Sequence, residues 1–114
     1  MPTDVFELVI DRTLAELPAE MRALLDNVDV LVDDENPDEP DIYGLYEGTP
    51  LTERTTGSMD FQLPDRVWIY RVPLTEDFGH DAELLAKEIR VTVLHELGHF
   101  FGIDEDRLEE LGWA

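Results

Sequence analysis

The sequence predicts an α+β domain with two N-terminal helices, a small sheet of about three strands, a long helix across the sheet and a short C-terminal helix. Three observations lead to this prediction. Apolar residues recur at helical spacing near the N-terminus, β-branched and aromatic residues cluster in the middle of the chain, and a longer helical pattern follows them. With 114 residues and no internal repeat, the chain has room for one domain, residues 1–114.

The first part of the chain predicts two helices and a strand. Apolar residues repeat at helical spacing over residues 6–17, and Pro18 can end that helix and open the next one. A second apolar stripe covers residues 21–25. Val28, Val30 and Val32 alternate with Asp29 and Leu31, which indicates a strand, and the acidic, proline-containing stretch 33–41 indicates a surface loop. Neither helix carries a residue pattern that requires a chemical role.

Two more strands are predicted in the middle of the chain. Apolar and aromatic residues stand between glycines over residues 42–48, which is typical of an extended segment at a sheet edge. Residues 66–72 are mostly β-branched or aromatic and form the clearest strand pattern, which Pro73 is expected to end. With the first strand, these segments complete the predicted sheet.

The long helix predicted near the C-terminus has well-defined boundaries. Apolar residues over 84–100 are spaced as one buried side of a helix. Asp81 can cap its start, and Gly102 can end it in the left-handed conformation that glycine adopts at little cost. The chain can turn back at that point, and Asp104 is a plausible N-cap for a last helix over 104–111.

This helix carries two of the three histidines of the chain, His95 and His99, with Glu96 directly after the first. Residues at i and i+4 lie on one face of a helix, so the two imidazoles can share one metal ion. Zinc binds neutral imidazole nitrogens, and a catalytic zinc site keeps three protein ligands and one open position. Glu96 lies beside this face, where its carboxylate can take a proton from an attacking water. The alternative interpretation is a helix with two exposed or core-packed histidines.

A third ligand is expected soon after the helix ends. Glu105 lies ten residues after His95, where the returning chain would meet the two histidines. Asp104 and Asp106 flank Glu105, and all three acids also have a metal-free explanation, as the cap and first turn of the last helix. The sequence therefore predicts one zinc ion held by His95, His99 and Glu105, with Asp104 and Asp106 as alternatives for the third position.

The pattern H-E-x-x-H-x-x-G-x-x followed by an acid resembles the zincin metallopeptidases, and nearly the whole chain resembles the small bacterial mini-zincins. This second resemblance rests on several short segments taken together. They are Leu25-Asp26-Asn27-Val28, Gly44-Leu45-Tyr46-Glu47-Gly48, Leu51-Thr52-Glu53-Arg54, Leu63-Pro64-Asp65-Arg66 and the tail from Gly102 to Gly112. The resemblance implies that His95 and His99 bind zinc and that Glu96 is the general base. The family usually has aspartate where this chain has Glu105.

Zincin-like peptidases hold their substrate as an added strand along a sheet edge beside the zinc, through main-chain hydrogen bonds. The resemblance therefore implies that Gly44, Leu45 and Tyr46 belong to the substrate cleft. Tyr46 could also stabilise the oxyanion of the reaction. The alternative is that Tyr43 and Tyr46 only fill the core.

The composition excludes several classes of protein. With 28 acidic and 8 basic residues the net charge is −20, so the surface repels nucleic acid and anionic membranes. The absence of cysteine excludes disulfides and thiolate zinc sites. No apolar run approaches the ~18 residues of a membrane span, and Asp4, Glu7 and Asp11 are atypical of a secretory signal. We expect a cytoplasmic protein.

The sequence and the resemblance together favour a zinc-dependent metallopeptidase that acts on peptide or protein substrates, with no nucleic-acid or membrane partner. Exposed aromatic residues around Gly44 could support a homodimer. Two alternatives remain open at this point: a non-catalytic protein that uses the zincin scaffold to bind metal or a partner protein, and an acidic adaptor for a basic partner.

Overall fold

A computed structural model describes residues 4–53 and 64–114 of the chain. A short 3-10 turn is formed by Leu51–Glu53. Arg54 and Leu63, which belong to segments quoted in the sequence analysis, lie outside the described residues. The described helices and strands are, in chain order, α1 Val5–Glu16, α2 Ala19–Leu24, β1 Val28–Asp33, β2 Gly44–Glu47, β3 Asp65–Tyr70, α3 Arg71–Phe78, α4 Ala82–Phe101 and α5 Glu105–Leu111. The α+β class, the small sheet and the long helix are confirmed.

The three strands form one mixed sheet in the order β1-β3-β2, with β1 parallel and β2 antiparallel to β3. Val67 and Ile69 of the central strand are fully buried, whereas Arg66 and Trp68 alternate with them and face the other side. Since β3 lies between its two neighbours, β2 forms an outer edge of the sheet within the described residues. This edge becomes important at the candidate site.

Helices α1 and α4 cover the buried face of the sheet. The core contains apolar residues from both helices, from the end of α1, from α3 and from the central strand, including Phe6, Ile10, Leu17, Val67, Ile69, Leu74, Leu85, Ile89, Val93, Leu94 and Leu97. Burial of such side chains contributes about 1.5–3 kcal/mol each before the cost of ordering the chain. The core therefore fixes α4, which carries the HExxH pattern, against the sheet.

The predicted boundaries of α4 are confirmed. The side chain of Asp81 accepts hydrogen bonds from the backbone N–H groups of Glu83 and Leu84, at 3.1 and 3.3 Å. Gly102 ends the helix with a φ of 77°, and a Cβ at this position would lie 2.4 Å from Thr52 Oγ1. Both the conformation and the contact require glycine.

The end of the third strand differs from the prediction. Residues 66–72 were expected to form a strand that Pro73 ends, but β3 stops at Tyr70 and the chain continues directly into α3. Pro73 is the third residue of this helix, where a backbone N–H has no partner within the helix, so proline is tolerated. The β-branched Val72 made this segment resemble a strand in the sequence. In the structure its N–H donates a hydrogen bond to the Asp34 carbonyl, at 2.9 Å.

Within residues 4–53 and 64–114, every helix is too short or too polar to cross a bilayer.

Candidate metal centre

The two histidines of the long helix lie side by side. Their Nε2 atoms are 3.2 Å apart, and the two rings are nearly perpendicular, with centroids 4.8 Å apart. The helical spacing of four residues brings them to one face of α4, as expected. The side chains of His95 and His99 keep 25% and 36% of their surface exposed, so their nitrogens are open to solvent on one side.

The orientation of His95 is fixed by a main-chain group. His95 Nδ1 lies 3.0 Å from the carbonyl oxygen of Trp113, whose half-buried side chain packs against the core. A carbonyl only accepts hydrogen bonds, so Nδ1 must carry the proton and the lone pair of Nε2 is left for a metal. The sequence could not indicate this contact, because a backbone carbonyl leaves no residue pattern.

The first turn of α5 distinguishes the three candidate acids. The side chain of Asp104 caps the helix by accepting a hydrogen bond from the Arg107 N–H at 2.9 Å. Glu105 begins the helix, and its Oε1 lies 3.6 Å from His99 Nε2 and 3.9 Å from His95 Nε2. Asp106 is exposed. Glu105 is thus the acid that approaches both imidazoles.

The spacing of these three donor atoms matches a zinc site. Donors placed tetrahedrally at about 2.0–2.1 Å from zinc are about 3.3–3.4 Å from one another. The three separations between His95 Nε2, His99 Nε2 and Glu105 Oε1 are 3.2, 3.6 and 3.9 Å. Two imidazoles and one carboxylate also form a donor set that suits zinc and leaves a fourth position open. The residues present therefore fit the ion.

Glu96 is a second carboxylate near the imidazoles, and it lies in a different environment. One of its oxygens is within 4.8 Å of the nitrogens of His95 and His99. Burial raises the pKa of Glu96 above its ordinary value, and the negative charge of Glu105 adds to the rise. The imidazoles and a hydrogen bond from the Tyr46 N–H oppose it. A half-buried carboxylate with a raised pKa suits proton transfer near neutral pH.

The edge strand approaches α4 at Glu96 because position 44 has no side chain. A Cβ at Gly44 would lie 2.8 Å from Thr92 Cγ2, 2.9 Å from the Trp68 carbonyl oxygen and 3.1 Å from Glu96 Cγ. The other substrate-cleft candidates differ in orientation. Strand alternation turns the Leu45 side chain to the opposite face of the sheet.

Tyr46 reaches the site through its main chain. Its N–H donates to Glu96, whereas its hydroxyl donates to Asp65 Oδ2 at 2.7 Å and its ring packs edge-on against Phe100. Because the Tyr46 hydroxyl donates its hydrogen to Asp65, the structure does not favour the suggestion that Tyr46 stabilises an oxyanion. The prediction that Tyr46 fills the core is consistent with its half-buried ring.

A pocket of about 440 Å³ opens beside His95 and Glu96. One wall is the face of α4 from Glu88 to Glu96, and the opposite wall is the segment 41–44 that leads into β2. The candidate metal ligands, the half-buried Glu96 carboxylate, the edge strand and this pocket are thus adjacent to one another. His80, the remaining histidine, is exposed at the start of α4 and is not part of the site.

The helix with the HExxH pattern, the neighbouring edge strand and the cluster of two imidazoles and a carboxylate define a small α+β domain with a candidate metal site. A family model described as zincin-like metallopeptidase matches residues 25–113, more than three quarters of the chain. The chain therefore belongs to the zincin-like metallopeptidase family, which confirms the resemblance drawn from the sequence. A search of curated proteins found no significant match.

Proposed function

We propose that the protein is a zinc-dependent metallopeptidase that hydrolyses peptide bonds. The observation that carries this proposal is the set of three donor atoms spaced 3.2 to 3.9 Å apart, with the half-buried Glu96 carboxylate beside them. Membership of the zincin-like family supports it.

In this proposal His95, His99 and Glu105 hold one zinc ion through their Nε2 and Oε1 atoms. Glu105 is favoured over Glu96 because its Oε1 already lies within 4 Å of both imidazole Nε2 atoms and its side chain, 68% exposed, can adjust its position. When bound, zinc supplies a Lewis acid that polarises the scissile carbonyl and makes water a nucleophile near neutral pH. The Trp113 carbonyl keeps His95 in the tautomer that the site needs.

Glu96 then acts as the general base. It accepts the proton of the attacking water and returns it to the leaving amine. The hydrogen bond from the Tyr46 N–H orients the carboxylate, and burial keeps its pKa above the ordinary value, which favours both halves of this transfer.

The peptide lies along the outer edge of β2. Because the Tyr70 N–H donates to the Tyr43 carbonyl, the alternation of an antiparallel pair directs the main-chain groups of Leu45 toward β3 and those of Gly44 toward the outer edge. A substrate strand can pair with Gly44 there, next to Glu96.

The experiment is a comparison of wild type with Glu96→Gln, which keeps the size and the Tyr46 hydrogen bond but removes the base. Both proteins are loaded with zinc, their metal content is measured by mass spectrometry, and each is incubated with a complex peptide mixture whose products are identified. We expect one zinc per chain in both and hydrolysis reduced about 10²–10⁴-fold in the variant.

An unchanged rate in Glu96→Gln would refute its role as base. A wild-type protein that binds zinc and cleaves nothing would instead favour the second candidate, a non-catalytic zincin scaffold.

A further inference from the structure

The pocket beside His95 and Glu96 has apolar walls and an acidic far end. Ile42 and Val91 lie on its opposite walls. Glu88 also lines it, two turns before His95 on α4, which places the two Cα atoms about 10 Å apart along the helix axis. Asp41 lines the pocket from the segment that precedes β2. The pocket is thus long, apolar in the middle and negatively charged away from the metal ligands.

The negative charge at this end is not balanced by the protein. Among the described residues, no lysine or arginine lines the pocket, and Glu88 is half-buried without a hydrogen bond or ion pair to its carboxylate. Arg90, two residues further along α4, is bonded to Glu16 at 3.1 Å instead. The Glu88 carboxylate can therefore pair with a positively charged group of a ligand.

Tyr43, which also lines the pocket, lies close to two acids, Asp77 and Glu88. Its hydroxyl donates a hydrogen bond to Asp77, and this bond, with burial and the charges of Asp77 and Glu88, raises the pKa of Tyr43 to about 12. Asp41 and Glu88 therefore line the pocket, and Asp77 lies next to it through its hydrogen bond with Tyr43.

We propose that this pocket binds the side chain of a lysine or arginine of the substrate. The inference rests on the proposed peptidase function and specifies its substrate class. Ile42 and Val91 contact the apolar stem of the side chain, and Glu88 and Asp41 receive its charged head. The net charge of −20 attracts such peptides before they bind.

The direction of the edge strand, together with antiparallel pairing of the substrate, determines which substrate residue enters the pocket. Gly44 lies at Thr92 and Glu96 whereas Tyr46 packs on Phe100, so β2 and α4 run in the same direction. A peptide antiparallel to β2 runs the opposite way, and its C-terminal part points from Glu96 toward Asp41 and Glu88. The pocket therefore selects the basic residue that follows the cleaved bond.

The first measurement is the identity of the new N-termini that appear when the zinc-loaded protein digests a complex peptide mixture. We expect lysine and arginine to be enriched at that position in wild type, and the enrichment to fall about tenfold in Glu88→Gln and in Asp41→Asn. Charge reversal in Glu88→Lys should shift the preference toward acidic residues. Glu76→Gln, which neutralises an exposed acid on α3, is the matched control and should retain the wild-type preference.

A second measurement separates the two proposals. Two capped hexapeptides of alanine, one with a single lysine and one with norleucine in its place, are titrated into zinc-loaded Glu96→Gln protein by calorimetry. We expect at least tenfold tighter binding of the lysine peptide, lost when Glu88→Gln is added.

Cleavage without a basic preference, or with the preference before the cleaved bond, overturns the inference and leaves the peptidase in place. If zinc-loaded wild type cleaves nothing, the peptidase proposal fails, and the calorimetry tests the basic specificity of the pocket by itself. Tighter binding of the lysine peptide supports that specificity, and equal binding of both peptides overturns it.

Discussion

At the scale of single residues, three acids at the proposed site have different roles. Asp104 caps α5, Glu105 approaches the imidazoles and Glu96 is half-buried beside the edge strand. All three residues carry a carboxyl group, and the surroundings of each one determine its role. The helix cap holds Asp104, which leaves Glu105 at the first helical position facing back toward α4.

Glu105→Ala should weaken zinc binding more than about 100-fold, since loss of groups that only support a ligand already costs about 10–100-fold. Calorimetric titration with zinc measures the affinity. Asp106→Ala, which removes the adjacent exposed acid, should bind zinc as wild type does. Equal affinities of Glu105→Ala and Asp106→Ala would contradict the assignment of Glu105.

Asp4 controls a pH-dependent part of the stability. Burial alone would raise its pKa, but the hydrogen bond from the Phe6 N–H at 2.9 Å and the ion pair with Arg71 hold the pKa below its usual value of 3.8. A lowered pKa in the folded protein stabilises it above pH 3.8, and this contribution is lost as the pH falls through the folded pKa.

Asp4→Ala should therefore lower the free energy of unfolding by about 1 kcal/mol at neutral pH, and the difference from wild type should shrink below pH 3.8. Urea unfolding at several pH values checks this. Asp4→Asn should keep most of the cap and lose the ion pair. A difference that is independent of pH would show that the carboxylate charge contributes nothing.

At the scale of elements, two close contacts hold the site together, and both need glycine. Gly44 lets β2 approach α4 at Thr92 and Glu96. Gly98 lets α5 dock on α4, because a Cβ there would lie 2.3 Å from Leu108 Cδ2. The first contact places the Tyr46 N–H on Glu96, and the second keeps Glu105 within reach of the histidines.

Gly44→Ala should displace β2 from α4, because its Cβ would lie 2.9 Å from the Trp68 carbonyl, which cannot move without disturbing the sheet. We expect a stability loss of about 1–3 kcal/mol and a fall in peptide hydrolysis larger than any fall in zinc affinity. Adding Thr92→Ser removes the methyl group 2.8 Å away and should restore part of both losses. Unchanged hydrolysis in Gly44→Ala would contradict the role of this contact.

Leu108→Ala should cost about 2–5 kcal/mol of stability, since Leu108 is fully buried. It should also weaken zinc binding, because α5 carries Glu105. Leu111→Ala on the same helix is the control: its side chain is 38% exposed, so both quantities should change little. Urea unfolding and zinc titration of the two variants measure the effects. Wild-type zinc affinity in a folded Leu108→Ala protein would show that α5 does not position the third ligand.

At the scale of the whole molecule, an apolar core is combined with a strongly acidic composition. Two arginines tie α1 to other elements, through the pairs Arg71–Asp4 and Arg90–Glu16. Exposed pairs of this kind contribute at most about 1 kcal/mol each, so the apolar core carries most of the stability. The excess of acids instead sets a long-range field that favours cations and weakens with salt.

The parts of this molecule that the sequence could predict are those with a local signature. The face shared by His95 and His99 follows from helical spacing, and the ends of α4 follow from Asp81 and Gly102. The strand order did not follow, because the pairing of β1 with β3 joins segments far apart in the chain. Helix α3 was missed because its first residues resemble a strand.

Main-chain contacts were equally inaccessible from the sequence. The Trp113 carbonyl on His95 and the Tyr46 N–H on Glu96 come from groups that every residue possesses, so only tertiary structure can reveal them. The pocket lined by Glu88 was missed for the same reason, since its two walls are about 50 residues apart in the chain and meet only in the fold.

The most direct test of the central claim is the rate of peptide hydrolysis by one protein preparation as a function of zinc added back after chelation. We predict that chelation abolishes hydrolysis and that activity returns linearly until one zinc per chain is bound, while Glu96→Gln binds the same zinc and stays inactive. Hydrolysis that survives chelation, or a zinc-saturated wild type without activity, would contradict it.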